Sequence, residues 1–386
     1  MNARLLRDLA PLCLVVFAEF LAMGLPLSVL PLRVHDTLGF GSFVVGLAIG
    51  AQSWVTLATR HAAGTRADQR GPRGTALLGL AVSALAGGAY ALSAAVPGDA
   101  ASLATLLIGR GLLGFGESLV ITGALSWGVT LAGRERTGIV MAWVGIAMYA
   151  ALAAGAPLGA AIDARFGFVG LSLAAALAPL AGIAAARVVR PVSPVGGTRL
   201  GFHRVLSLIA LPGAGLALCA LGFGAIAAFA TLHFARHGWP HAALAMTSFG
   251  AAYVLARLLF ATLPDRVGCA REAVGSAAVA AHGQLGLWLA PSGTVAVAAA
   301  ALTGFGFSLA FPAFGVEAIR RVPPQNRGVA LGAYTACFDV SLGVGVPALG
   351  ALVGEFGTSA AFVAATLAAG ASLVIALALW ARAPRA

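Results

Sequence analysis

Long apolar runs separated by short polar segments fill the chain from one end to the other. Most runs are close to the ~20 residues that an α-helix needs to cross the hydrocarbon core of a bilayer. The pattern therefore predicts an all-α membrane protein with twelve transmembrane helices. We expect these helices at residues 11–32, 42–62, 74–96, 103–131, 138–161, 168–189, 206–231, 242–264, 273–290, 294–319, 328–353 and 359–381.

An internal repeat organises these helices. The segment 110–167 recurs 190 residues later without a gap, so that the Gly-Phe-Gly of 114–116 returns at 304–306 and the Phe-Gly of 166–167 returns at 356–357. A repeat of half the chain, written in apolar helices, is typical of secondary transporters with duplicated halves. We therefore expect two pseudo-symmetric bundles of six helices.

A segment rich in Pro and Gly with basic residues at both ends lies at 190–204, and it predicts a cytoplasmic linker. It divides the chain into an N-terminal six-helix bundle at 1–189 and a C-terminal six-helix bundle at 205–386.

The composition agrees with a lipid environment. Hydrophobic residues make up 60% of the chain and charged residues 10%, and the mean hydropathy is +0.94. Soluble proteins carry about 25% charged residues, so this chain has too little charge to cover a surface that faces water.

The net charge of +11 is a signal of topology. All 24 basic residues are Arg; with the N-terminus inside, 19 fall at cytoplasmic ends or loops, three fall outside and two lie within spans. This positive-inside distribution predicts that both termini are cytoplasmic. It also argues against a nucleic-acid partner.

Three ionisable residues lie inside predicted spans of the first half. They are Glu19 in the first span and Arg110 and Glu117 in the fourth. A charged side chain at the bilayer centre costs about 2.5–3.5 kcal/mol on insertion scales, so such residues are usually functional. Arg110 and Glu117 are two helical turns apart and share a face, yet the repeat has Ala300 and Phe307 in their places. We expect a site for protons or substrate; the alternatives are a structural ion pair or a protonated Glu packed in the bundle.

Asp339 is the only acid that we expect deep in the second half, so it is a further candidate for proton or substrate binding. No nucleotide-binding Gly-x4-Gly-Lys loop can occur in a chain without Lys. We find no nucleophile and base set either, so we expect no enzyme activity and no cofactor. His233, His237 and His241 are spaced by four, but Gly238 and Pro240 interrupt any helix, so we expect a water-exposed loop and no metal site.

A polar motif follows the second span and is repeated in the second half at an offset of 197 residues. An Asp near a helix end, with glycine for the turn and arginines around it, can join cytoplasmic helix ends through charge-assisted hydrogen bonds. The residues of the two copies are Arg60, Gly64, Asp68, Arg70, Gly71 and Arg73 in the first, and Arg257, Asp265, Arg266 and Gly268 in the second.

This motif, the twelve spans and the two related halves resemble the major facilitator superfamily over the whole chain. The resemblance implies that Asp68 and Asp265 form a gate latch that holds the cytoplasmic side closed. It also implies transport by alternating access, in which the halves rock around a central cavity. Arg110 resembles the fourth-helix arginine of proton-coupled members. The second copy of the loop departs from the family, because Cys269 and Ala270 stand where basic residues are common.

The fifth span ends in a glycine- and proline-rich motif that resembles, in a loosened form, the fifth-helix motif of drug:proton antiporters. Its residues are Gly155, Pro157 and Gly159, and the second half repeats it as Gly345 and Pro347. Because both halves carry it, ordinary helix packing is the alternative explanation.

The combined expectation is a secondary active transporter of the bacterial inner membrane that exports a small molecule in exchange for protons. Glu19 and Glu117 would exchange protons and substrate, and Arg110 would favour the charged form of a nearby carboxylate. The alternatives are a proton-coupled importer or facilitator of a small anionic solute, with Arg110 as the carboxylate-binding group, and, more remotely, a non-transporting membrane receptor or scaffold. The expected partners are the small molecule, protons and lipid, and we expect a monomer.

Overall fold

The computed structural model describes residues 3–133, 136–189, 192, 202–260, 268–322 and 327–382, and this part of the chain is helical with no β-strand. The first six helices are α1 (Ala3–Leu27), α2 (Ser42–Arg70), α3 (Pro72–Ala95), α4 (Asp99–Ala132), α5 (137–166) and α6 (168–186). The helices α5 and α6 form one run, Thr137–Ala186, that is broken by the non-helical backbone of Gly167. A single helical turn, Leu30–Leu32, and a π-helical turn, Arg33–Thr37, follow α1.

The second six helices are α7 (Phe202–Arg236), α8 (Ala243–Leu259), α9 (Cys269–Trp288), α10 (Gly293–Ile319), α11 and α12 (Ser359–Ala381). The helix α11 consists of Arg327–Val340, a π-helical turn at Ser341–Gly345 and Val346–Phe356. In the described part, nine helices are long and apolar enough to cross a membrane, and one of these is the run that contains both α5 and α6. With α5 and α6 counted separately, and with α8 and α9, the prediction of twelve helices is confirmed.

The chain forms two compact units. The first comprises Met1–Phe40 and Ala51–Gly197, and the second comprises Gly41–Gly50 and Thr198–Ala386. Most of the predicted linker, 190–204, lies outside the described residues, and α7 begins at Phe202, inside it. The division at 190–204 therefore stays a prediction.

The polar motif after the second span is mostly helical, which differs from the predicted loop. The helix α2 does not stop at residue 62 but continues to Arg70, so Gly64 and Asp68 lie on it. Ala, Arg and Gln within 61–70 are good helix formers, and one Gly is not enough to end the helix. The turn is made by Gly71 alone, and Pro72 begins α3 as its first residue.

The repeat is visible in the backbone. Gly71 and Gly268, 197 residues apart, precede α3 and α9 with φ of 88° and 85°. Gly167 and Gly357, 190 residues apart, precede α6 and α12 with φ of 67° and 81°. Positive φ is readily available only to glycine, so the same turns are encoded by the same residue in both halves.

Close contacts at glycine hold the helices of the first unit together. Gly155 of α5 lies against Gly24 of α1, and Gly79 of α3 lies against Gly116 of α4. In the second unit, Gly283 of α9 lies against the backbone of Thr303 on α10. Such small residues let helix backbones approach closely in lipid, where burial of apolar surface does not drive association.

The neighbouring glycines of α3 provide a test of this packing. A Cβ on Gly87 would lie 2.5 Å from the Ala176 backbone nitrogen on α6, whereas a Cβ on Gly88 would meet no atom within 4 Å. We expect Gly87→Ala to destabilise the protein by about 1–3 kcal/mol, the usual effect of overpacking. Gly88→Ala should leave stability unchanged or slightly higher, since Ala favours helix. Thermal unfolding of both variants in detergent measures the difference; equal melting temperatures would contradict the packing.

Candidate functional site

Three of the sequence-predicted residues meet inside the first unit. Glu19 on α1 is 1% exposed, Arg110 on α4 is fully buried, and Glu117, also on α4, is partly exposed. Electrostatic interactions join Glu19 to Glu117, and Glu117 to Arg110. The structure thus brings two carboxyl groups and one guanidinium into one polar cluster.

Glu117 receives hydrogen bonds from two residues of α2. The Gln52 Nε2 atom donates to Glu117 Oε2 at 2.7 Å, and the Thr56 hydroxyl lies 3.3 Å from the same oxygen. The single Thr56 hydrogen is shared with the carbonyl oxygens of Gly114 and Gln52, at 3.0 and 3.1 Å. Gln52 is therefore the stronger donor to Glu117.

Glu19 is held from α3. The Ser83 hydroxyl donates to Glu19 Oε1 at 2.6 Å, while Glu19 Oε2 is buried and makes no hydrogen bond with any described residue. Tyr90, one helical face further along α3, interacts electrostatically with both Arg110 and Glu19. One carboxyl oxygen of Glu19 is thus positioned and the other is open to a further donor or acceptor.

Gln52 reaches α1 as well as α4. Its Nε2 atom lies 3.3 Å from the Met23 sulfur, and Met23 is one turn after Glu19 on α1. The Gln52 Oε1 atom is buried and has no hydrogen-bond partner among the described residues. The amide of Gln52 therefore sits between the two acidic helices.

Arg60 belongs with this cluster. It lies two turns after Gln52 on α2, on the face that also carries Thr56, and it interacts electrostatically with Glu117. The sequence assigned Arg60 to the cytoplasmic latch; in the structure its charge acts on Glu117.

Glycines on α4 set the spacing of the cluster. A Cβ on Gly114 would overlap the Gln52 carbonyl oxygen, and a Cβ on Gly116 would overlap the Ser83 hydroxyl. These two glycines let α2 and α3 approach α4 closely enough for Gln52 to reach Glu117 and for Ser83 to reach Glu19.

The second unit holds an apolar cluster at the equivalent positions. Gly304 lies against Phe249 as Gly114 lies against Gln52, so the two offsets place Phe307 at the position of Glu117. The rings of Phe249 and Phe307 are 6.2 Å apart between centroids. All counterparts of the polar cluster are buried, and they are Leu216, Phe249, Tyr253, Ala280, Ala300 and Phe307.

The remaining acids of the second unit have different surroundings. Asp339 is buried on α11, two residues before the π-helical turn, and is not part of the first unit's cluster. Glu317 lies at the end of α10 and pairs with Arg320 and Arg321 at 3.4 and 3.5 Å.

The predicted latch is only partly described. Asp68 is partly exposed on α2, Arg70 is exposed, and Arg73 lies in the first turn of α3. The Arg257 Nη2 atom on α8 donates to the Tyr253 hydroxyl at 2.9 Å. Asp265 and Arg266 lie outside the described residues, so the latch stays a prediction.

The glycine and proline motif of the fifth span lies at helix contacts. Gly159 faces the Leu25 carbonyl of α1 and Pro157 is partly exposed. In the second half, Gly345 faces Leu221 of α7, and Pro347 lies against Gly46 and Gly50 at the start of α2. Helix packing accounts for these residues, and their antiporter role stays a prediction.

The expectation for the histidines was wrong for His233. The helix α7 continues past residue 231 to Arg236, so His233 is buried and its Nδ1 atom lies 2.9 Å from Thr358 Oγ1, just before α12. His237 and His241 follow the helix. In the described residues no group of three or more His, Cys, Asp and Glu could hold a metal ion.

Sequence reasoning missed Gln52, Thr56, Ser83 and Tyr90. The spacing of four between Gln52, Thr56 and Arg60 in an apolar span was the available signal for α2. Ser83 and Tyr90 gave no such signal, since single Ser and Tyr residues are common in membrane helices. Only their contacts with the charged residues single them out.

Two halves of six membrane-spanning helices, with a buried polar cluster in one half, define a polytopic protein of the secondary-transporter class. The family model described as "Major Facilitator Superfamily" matches residues 12–242 and 213–386. The chain therefore belongs to the major facilitator superfamily.

Relatives and solved structures agree with this assignment. The chain is 47% identical over 376 residues to an uncharacterized MFS-type transporter of Burkholderia mallei (strain SAVP1), covering 96% of this chain and 91% of the relative. It is 45% identical over 370 residues to one of Pseudomonas aeruginosa (strain UCBPP-PA14), covering 96% and 92%. The fold is similar to a mutant of the nucleoside transporter NupG (TM-score 0.72, 17% identity, 96% and 98% covered) and to the human organic anion transporter MFSD10 (0.69, 16%, 97% and 100%). The chain is thus a multi-pass membrane transporter of this family.

Proposed function

We propose that this transporter exports a small molecule across the bacterial inner membrane in exchange for protons. The observation that carries the proposal is the cluster of Glu19, Glu117 and Arg110 inside a membrane-embedded unit, with Ser83 and Gln52 bonded to the carboxyl groups. Arginine placement supports cytoplasmic termini, and bacterial relatives support the inner membrane.

The charge balance of the cluster favours proton exchange. An ionised carboxylate within the bilayer is costly unless a positive charge or hydrogen-bond donors stabilise it. Arg110 offsets one negative charge, so loss of a proton from the second acid must be accompanied by a conformational change or by a bound ligand. Each proton that moves down about 100 mV then supplies about 2.3 kcal/mol for transport.

The labour is divided among the three residues. Glu117, which is partly exposed, exchanges protons and substrate with water, and Glu19 shares the proton inventory through its electrostatic interaction with Glu117. Arg110 stabilises the ionised form of Glu117. Export is supported by the resemblance of Gly155, Pro157 and Gly159 to the antiporter motif.

A second candidate is import or facilitated passage of a small anionic solute. Arg110 is fully buried and interacts with Tyr90, and a guanidinium beside a phenol is suited to bind a carboxylate. In this case Arg110 would contact the solute directly.

Reconstituted vesicles separate these functions. Purified protein in liposomes with an entrapped pH-sensitive dye is given a panel of labelled metabolites and drugs under an imposed pH gradient. Export predicts accumulation in everted membrane vesicles together with proton release from the lumen, whereas import predicts accumulation in right-side-out vesicles. Uptake that is unaffected by the pH gradient, and by both Glu19→Gln and Glu117→Gln, would overturn proton coupling.

A further inference from the structure

We infer that Gln52 links the protonation of Glu19 to that of Glu117, with its amide donating to the ionised carboxylate and accepting from the protonated one. The inference rests on the proposed proton coupling and adds a positioning residue to it. Gln52 has the required placement, since it lies on α2 while the two acids lie on α1 and α4.

The contact with Glu117 is direct. Gln52 Nε2 donates to Glu117 Oε2 at 2.7 Å, the distance of a strong, charge-assisted hydrogen bond. This bond is suited to the ionised form of Glu117, because an N–H donor stabilises negative charge on the oxygen.

The approach to α1 supplies the second half of the link. Gln52 Nε2 is 3.3 Å from Met23, which shares a face of α1 with Glu19. Two buried oxygens of this region, Glu19 Oε2 and Gln52 Oε1, make no hydrogen bond with any described residue. Two acceptors of this kind are satisfied together when a proton on Glu19 Oε2 is donated to Gln52 Oε1.

The exchange balances in atoms and charge. In one state Glu19 carries the proton on Oε2 and donates it to Gln52 Oε1, while Gln52 Nε2 donates to ionised Glu117. In the other state the O–H bond of Glu19 has broken and an O–H bond has formed on Glu117. The amide has then turned by about 180°, so that it donates to Glu19 and accepts from Glu117. An amide has a donor and an acceptor at one end of its side chain, so both states contain two hydrogen bonds.

The other groups around the acids act on one acid each through hydrogen bonds. Ser83 bonds to Glu19, and Thr56 bonds to Glu117. Arg110 and Arg60 act electrostatically on Glu117, and Tyr90 interacts with Glu19. Among the described hydrogen bonds, those of Gln52 are the ones that reach both Glu117 and the α1 face carrying Glu19.

The experiment measures how strongly the two acids depend on each other. Infrared difference spectra of the protein in nanodiscs, recorded across a pH titration, report the protonated carboxyl groups. The change in the titration midpoint of Glu117 caused by Glu19→Gln is measured in wild type, in Gln52→Met and in Thr56→Val. Methionine matches the length of Gln52 but has no strong donor or acceptor, and Gln52→Leu serves as a second variant if Gln52→Met does not fold.

We expect Gln52→Met to reduce this midpoint change to less than half of its wild-type size. Thr56→Val should retain it, because Thr56 bonds to Glu117 without reaching α1. An unchanged dependence in both Gln52 variants would overturn the inference. If Glu19→Gln and Glu117→Gln leave pH-driven transport intact, the proposed function fails instead, which separates the two results.

Discussion

Replacement of Glu117 by glutamine is expected to abolish accumulation of substrate driven by a pH gradient. Glutamine has the size of glutamate and can still bond to Gln52 and Thr56, but it cannot bind and release a proton. Loss of one coupled proton removes about 2.3 kcal/mol at 100 mV, which corresponds to a roughly 40-fold lower accumulation ratio. Steady-state accumulation in vesicles with an imposed gradient measures this loss.

Counterflow in the same vesicles tests whether the substituted protein still binds and moves its substrate. Counterflow needs no proton gradient, so we expect Glu117→Gln to retain it. Glu317→Gln is the matched control, because Glu317 is also a membrane-helix acid but pairs with Arg320 and Arg321 outside the cluster. Accumulation that is normal in Glu117→Gln, or lost equally in Glu317→Gln, would remove Glu117 from the coupling mechanism.

A single methyl group on Gly114 is expected to disable the transporter and to lower its stability. The added Cβ would overlap the Gln52 carbonyl oxygen of α2, so α2 has to move away from α4. The hydrogen bonds from Gln52 and Thr56 to Glu117, at 2.7 and 3.3 Å, would lengthen or break. We expect Gly114→Ala to cost about 1–3 kcal/mol in stability and to reduce pH-driven transport strongly.

Gly111 on the same helix provides the control. A Cβ there would have only Val55 Cγ2 within 4 Å, at an ordinary contact distance of 3.6 Å. Gly111→Ala should therefore match or exceed wild-type stability, since alanine is the better helix former. Thermal unfolding in detergent and transport assays on both variants check the prediction. A Gly114→Ala protein with wild-type stability and transport would show that this contact does not set the site.

Much of the fold could be predicted because it depends on properties that are local in the chain. The length of each apolar run determines whether it spans a bilayer, and the recurrence of Phe-Gly at 166–167 and 356–357 marks equivalent turns in both halves. Helix ends were predicted less well, as at Arg70 and Arg236. A hydropathy pattern does not register helix that continues into polar sequence.

The candidate site divides in the same way. By itself, the sequence determined the membrane environment, the twelve helices, the duplicated halves and the presence of Glu19, Arg110 and Glu117 in one half only, because charges are conspicuous in apolar runs. Only the tertiary structure decided that Gln52 and Ser83 complete the cluster and that Arg60 acts on Glu117. The physical reason is that these contacts join different helices, and their distances depend on how closely glycines such as Gly114 and Gly116 let those helices approach.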